Sequence, residues 1–392
     1  MRRALLSMIT LVLTIAARAQ TLNVKVGSVT YQFPASQTGE MTYANGETVT
    51  IMGKTFSLTD ITAMTVDNSK VSDGTIGVSY DGSTASVTVA GNVAQYVTPT
   101  VSGAHVSIAQ SDNLAEEITY TLSGTSADGE FYMSGSYKAT IELNGLTLTN
   151  ATPVYSGAAV HIQNGKRIKV KIVTGTTNTL SDASTGSQKG CLYIKGHAEF
   201  AQKGTLNVVG NVKHGIKTGE HMTLKNATIN VTSAAGDGIS CAEYFLMESG
   251  TINISGTQDD GIQCDIDGDA STGETTDHED EDSGNVYIEG GTINITVTAD
   301  AAKGIKGEGD MRISGGDITV KTSGGGLWDS TMVVSGASQP TLKSGVTVSS
   351  GTSIFDGVGY TGATVTGGSS VNLSAYSSGG GGDPGGGGGH GH

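Results

Sequence analysis

The chain is 392 residues long, with 59 Gly, 5 Pro, a 36% hydrophobic share, 15% charged and only 5% aromatic residues. So little proline excludes collagen and Pro-rich linkers, and the lack of long Leu/Ala/Glu/Lys runs excludes a helical bundle, leaving an all-β, turn-rich chain. The formal net charge of -15 sets the surface against nucleic acid and anionic lipid, and favours cations or anionic ligands reached through bridging cations.

Residues 1–19 read as a signal peptide. Arg2 and Arg3 form a basic start, Ala4 to Ala16 is a short apolar run, and Ala17-Arg18-Ala19 is a small-x-small cleavage pattern ahead of Gln20. The run is short for a bilayer span, and no later stretch is apolar enough to serve as a transmembrane segment. The expected location is therefore secreted, cell-surface or periplasmic. Nothing in the sequence sets an oligomeric state.

Residues 20–115 alternate apolar and polar positions, as in Leu22-Asn23-Val24-Lys25-Val26, and are expected to form an N-terminal β module or cap. Asp81-Gly82, between Val78-Ser79-Tyr80 and Val87-Thr88-Val89, predicts a hairpin with a slightly longer loop.

From 116 to 376 the chain carries an internal repeat. Thr205-Leu206-Asn207-Val208, Thr228-Ile229-Asn230-Val231 and Thr251-Ile252-Asn253-Ile254 recur every 23 residues, and Thr292-Ile293-Asn294-Ile295 and Asp317-Ile318-Thr319-Val320 follow after an insertion. His214-Gly215-Ile216, Asp237-Gly238-Ile239, Asp260-Gly261-Ile262 and Lys303-Gly304-Ile305 run in phase. A period of 23 residues is too short for a helical hairpin and suits one coil of a parallel β-helix, with the Ile and Val columns inward and the Asn column outward. Met222, Phe245, Val286 and Met311 predict a further inward column, and Cys191 falls in the column of Ile216. Residues 377–392 are almost all glycine and are expected to form a disordered tail.

Cys241 and Cys264 share one phase of the repeat, so neighbouring coils bring them within disulfide range. A bridge and a pair of stacked thiols are both consistent with that placement. No Cys-x-x-Cys spacing supports zinc.

The strongest chemical signal is at 259–282, with eleven acids and no Lys or Arg. Asp265-Ile266-Asp267-Gly268-Asp269 offers oxygen ligands at alternate positions, as calcium loops do, although the run does not complete an EF-hand. Asp237 and Asp260 are predicted to stack on adjacent coils, an arrangement that calls for a counter-ion, and the insertion that carries the Asp265–Asp269 run is expected to leave the coil beside that stack. The expected calcium ligands come from Asp237, Asp259, Asp260, Asp265, Asp267, Asp269, Asp277 and Asp280. His214, Lys303 and Lys306 flank these acids and are candidates to hold an acidic sugar, with Trp328 as a stacking platform. The same lysines also suit salt bridges across coils, or the base of a β-elimination beside a cation-polarised uronate.

The run from Gly186 to Trp328 resembles the bacterial carbohydrate-binding domain family of secreted parallel β-helix proteins, which has a clostridial relative that binds cellulose and acidic sugars. The match rests on Lys213-His214-Gly215-Ile216-Lys217, Gly236-Asp237-Gly238-Ile239-Ser240, Asp259-Asp260-Gly261-Ile262-Gln263, Thr276-Asp277-His278-Glu279-Asp280 and Ala302-Lys303-Gly304-Ile305-Lys306. The resemblance implies a pectate-lyase-like right-handed β-helix, bound calcium, and polysaccharide binding without established catalysis. The expected function is calcium-dependent, non-catalytic binding of acidic polysaccharide such as polygalacturonate, or of cellulose. A pectate-type lyase and a structural adhesin are the alternatives.

Overall fold

The computed structural model describes residues 20–39, 41–266, 282–309, 311–313, 315–322, 327–329, 341–342, 347–349 and 370–375. The signal peptide expected at 1–19 and the tail at 377–392 lie outside the described residues.

The described chain is all-β apart from a single turn of 3-10 helix at Ala94–Tyr96. Among the described residues no helix is long and apolar enough to cross a membrane. Strands from successive coils pair in parallel on three faces. Thr205–Gly210, His214–Thr218 and Met222–Leu224 make one coil, and Thr228–Ala234 opens the next. Thr205 pairs with Thr228, Thr228 with Thr251, and Thr251 with Thr292, so the repeat columns of the sequence are true register columns.

Period-two alternation within each strand decides what is buried. Leu206, Ile229, Ile252, Ile293 and Ile318 form one column and are fully buried. Met222, Phe245, Val286 and Met311 form another on a second face. Burial of each such side chain is worth about 1.5–3 kcal/mol, but only once a neighbouring coil covers it. Between the Ile columns, Asn230 donates to the Asn207 side-chain oxygen, Asn253 to Asn230 and Asn294 to Asn253, at 2.8–2.9 Å. This amide ladder pairs each carboxamide with its neighbour, half-buried at Asn207, Asn230 and Asn253 and exposed at Asn294.

The His/Asp/Lys-Gly-Ile motif has a steric cause. A Cβ on Gly238 would lie 2.7 Å from Ile254 Cγ2 and 2.8 Å from the Gly261 carbonyl oxygen, and Gly261 meets Ile295 and Gly304 in the same way. Each glycine lets one coil turn tightly against the inward Ile of the next strand.

The N-terminal strands close one end of the stack. Thr21–Val26 pairs antiparallel with Val29–Pro34 and Ile61–Asp67, and the hairpin Thr75–Asp81/Thr84–Ala90 lays its first strand parallel on Ile118–Ser126. The first coil therefore has no bare edge on that face. The hairpin is tighter than expected: Asp81 pairs with Thr84, leaving Gly82 and Ser83 as the turn, with Gly82 at φ 61°. A second correction concerns Cys191. Leu192 is the register partner of Ile216, and Cys191 sits one position earlier, also buried.

Candidate metal and glycan site

The site grows from a ten-stranded face, the sheet that runs from Val97–Ser102 through His214–Thr218 and Ile262–Asp265 to Leu327–Asp329, at the tight turn before each strand. His214, Asp237, Asp260 and Lys303 occupy equivalent places on four successive coils, each just ahead of the Gly-Ile step. Three of them hold the next coil by the same device. His214 Nδ1 lies 3.1 Å from the main-chain N–H of Asp237, Asp237 Oδ1 accepts from the N–H of Asp260 at 3.1 Å, and Asp260 Oδ1 accepts from the N–H of Lys303 at 2.6 Å. A buried turn N–H needs an acceptor, and these side chains supply it.

The second oxygen of each carboxylate remains for other work. Asp237 Oδ2 is 3.1 Å from His214 Nδ1, and Asp260 Oδ2 is 3.8 Å from Lys306 Nζ. His214 Nδ1 offers one lone pair or one proton, so it either accepts the Asp237 N–H or donates to the Asp237 carboxylate, not both. Asp237 and Asp260 are buried while Asp259 is exposed, and a ligand atom from each lies within 4.8 Å of the others. Burial, reinforced by the Asp237 charge, pushes the Asp260 carboxyl up to about 7. Burial and the same charge also raise Asp259. Asp259 and Asp260 thus resist ionising beside Asp237, and three carboxylates so placed fit a hard divalent cation, which supplies the missing positive charge.

Asp265 does not join this group. It ends the strand Ile262–Asp265, which Asp260 precedes, so the two stand at opposite edges of the sheet, separated along the strand by about 16 Å at roughly 3.3 Å per residue. The described start of the acidic insertion therefore leaves from the far edge, where Ile266 N–H donates to Glu308. The expectation that the insertion leaves beside the Asp237/Asp260 stack is corrected by this geometry. Asp267, Asp269, Asp277 and Asp280 lie outside the described residues.

The flanking cations separate into two roles. Lys306 faces Asp260 across the coils. Lys303 contributes its main-chain N–H to Asp260, and its ammonium donates to the Ala301 carbonyl at 2.7 Å. The main chain of Trp328 pairs with Lys306, which puts it next in the same column; the stacking expected of its side chain lies outside the described residues. Cys241 and Cys264 are register partners, both buried, and their sulfurs are unbridged thiols in this structure.

Sequence reasoning missed an aromatic group on the earlier coils of the same face. Tyr132 stacks on Tyr155 with ring centroids 5.3 Å apart, and His161 sits edge-on between Tyr132 at 4.8 Å and Tyr193 at 4.7 Å. It also missed a buried stack at the next corner, His197 on His221 at 4.1 Å and His221 on Tyr244 at 4.3 Å. The first group is spaced 29 and 32 residues apart, so no column is visible there before the coils are registered, whereas His221 and Tyr244 keep the 23-residue period and run one position ahead of Met222 and Phe245.

A search of curated proteins finds no match. Among solved structures, the fold is similar to that of the polysaccharide lyase-like protein from C. thermocellum, determined as a gadolinium derivative, with a TM-score of 0.50 and 22% identity over 65% of this chain and 94% of that one. A family model described as carbohydrate-binding domain-containing protein matches residues 102–373, which includes every coil described above, and the chain belongs to that family.

Proposed function

We propose that this protein is exported and retains acidic polysaccharide through calcium held by Asp237, Asp259 and Asp260, without cleaving the chain it binds. The observation that carries the reading is the carboxylate trio itself, two of its members buried and all within 4.8 Å. Such a group is costly when ionised and unbridged, and oxygen-only donors favour calcium. Membership of a carbohydrate-binding family supplies the ligand class. Lys306, within 3.8 Å of Asp260, stands where a uronate carboxylate bridging the cation would meet a positive charge.

The competing reading is a lyase with Lys303 or Lys306 as base. Both ammonium groups are engaged by oxygen acceptors, which favours a holding role. A structural adhesin would need the stack alone, which accounts for the coil-bracing oxygens of Asp237 and Asp260 but not for the convergence of their second oxygens with Asp259. The test is thermal unfolding of the mature protein in calcium and in chelator, repeated with polygalacturonate and with cellulose. The expected result is a rise with calcium, a further rise with polygalacturonate, and no unsaturated uronate product. Indifference to calcium would overturn the reading.

A further inference from the structure

The outward positions of the ten-stranded face make a second, unassigned feature. Tyr132 pairs with His161, His161 with Tyr193, and Tyr193 with Lys217. The column continues through Ser240 and Gln263 to Lys306. Its inward neighbours, such as Phe131, Ile162, Leu192 and Ile216, belong to the core, so the column points outward, with Tyr132 and His161 half-buried and Tyr193 and Ser240 buried.

The two ends of this floor differ in chemistry. One end is aromatic and rigid. Tyr132 leans on Tyr155, and both nitrogens of His161 are held, Nδ1 by Ser156 at 2.7 Å and Nε2 by Gln163 at 3.0 Å. The segment that brings in Tyr155 is anchored from below. Buried Glu130 accepts the N–H groups of Val154 at 2.7 Å and Tyr155 at 3.0 Å, and its other oxygen takes the Asn150 amide at 3.0 Å. The other end is cationic. Exposed Lys189 lies 5.9 Å from the Tyr193 ring centre, and Lys217 follows Tyr193 in the column with its ammonium on Ser240 at 3.2 Å. Lys306 closes the series beside the acid trio. In a chain of net charge -15, lysines spaced along one aromatic-floored column select for a ligand with apolar ring faces and regularly placed negative charges.

We propose that this column is a linear track for an acidic polysaccharide, with pyranose faces on Tyr132 and His161 and carboxylates on Lys189 and Lys217, leading into the calcium-linked end at Lys306. The proposal rests on the acidic-polysaccharide reading above and extends it to a separate set of residues. From Tyr132 to Lys306 the column crosses six strand steps, about 29 Å at roughly 4.8 Å per strand, so several sugar units lie on it at once. The aromatic floor is already in place before the ligand arrives, which lowers the ordering cost of binding.

The test is affinity electrophoresis of the mature protein through gels containing polygalacturonate and calcium, with the calcium-induced rise in unfolding temperature measured on every variant. Tyr132→Ala and Lys217→Gln are each expected to weaken retardation about tenfold while keeping the calcium rise. Tyr132→Phe keeps the ring and should bind as the parent does. Tyr43→Ala, an exposed tyrosine of the N-terminal module, should also leave retardation unchanged. If Tyr132→Ala fails to fold, Lys217→Gln carries the test. Parent-like retardation of Lys217→Gln and of folded Tyr132→Ala would overturn the track and leave the calcium reading standing. No retardation of the parent protein would overturn both.

Discussion

Asp237 Oδ1 accepts the main-chain N–H of Asp260 at 3.1 Å, so one carboxylate of the trio braces the coil that carries another. Asp260 does the same for Lys303. The acids are thus structural and chemical at once, and a substitution can separate the two roles. Asp260→Asn keeps an oxygen for the Lys303 N–H and should unfold in chelator no earlier than the parent, yet lose the calcium-induced rise. Asp260→Ala also orphans that N–H and should cost a further 1–3 kcal/mol or about that, read as a lower unfolding temperature in chelator. A normal calcium response from Asp260→Asn would remove Asp260 from the ligand set.

The pH dependence follows from the raised Asp260 carboxyl. Its folded value of about 7 exceeds the ordinary 3.8, so between those limits the folded state binds more protons than the unfolded state. Its contribution is fully present below the lower limit and is lost as pH rises toward the upper one. In chelator, the parent should therefore lose stability relative to Asp260→Asn as pH rises through this window. Calcium, by favouring the carboxylate, should flatten the difference. Unfolding curves of the two proteins across the window check this, and a parent that gains on the variant as pH rises would contradict it.

Gly238→Ala should destabilise the stack by about 1–3 kcal/mol, because the new methyl meets Ile254 and the Gly261 carbonyl inside contact distance. Denaturant unfolding measures the cost. A neutral result would mean that the coils give way easily at this corner.

In the structure Cys241 and Cys264 face each other as unbridged thiols. Burial holds the Cys264 thiol well above its ordinary value, so it stays protonated and unreactive while folded. Thiol titration of protein unfolded without reductant should therefore find all three cysteines free. A single reactive thiol would identify a bridge between the two coils.

The fold was largely legible in the sequence where the period is constant. From Thr205 to Ile295 the same residue types recur on the same faces, and parallel stacking converts recurrence directly into register. All three acids of the trio were legible, since the recurrence put Asp237 over Asp260 with Asp259 beside it, but nothing in the residue pattern tells from which end of Ile262–Asp265 the insertion leaves. The aromatic floor was not legible, because the turns between Tyr132, His161 and Tyr193 differ in length and only pairing aligns them. Cys191 shows the same limit on a smaller scale, since Leu192 stands 24 residues before Ile216 instead of the 23 of the later coils.

The Asn207–Asn230–Asn253–Asn294 ladder and the main-chain bonds between coils all run along the long axis of the stack. Tension applied between the two ends therefore loads one coil boundary at a time, and the molecule should yield by peeling in steps, like a spring drawn from one end. Force applied across the axis is shared by many parallel strands together. In single-molecule pulling, most steps should release one coil, and one longer step should release the coil that carries the insertion before Asn285.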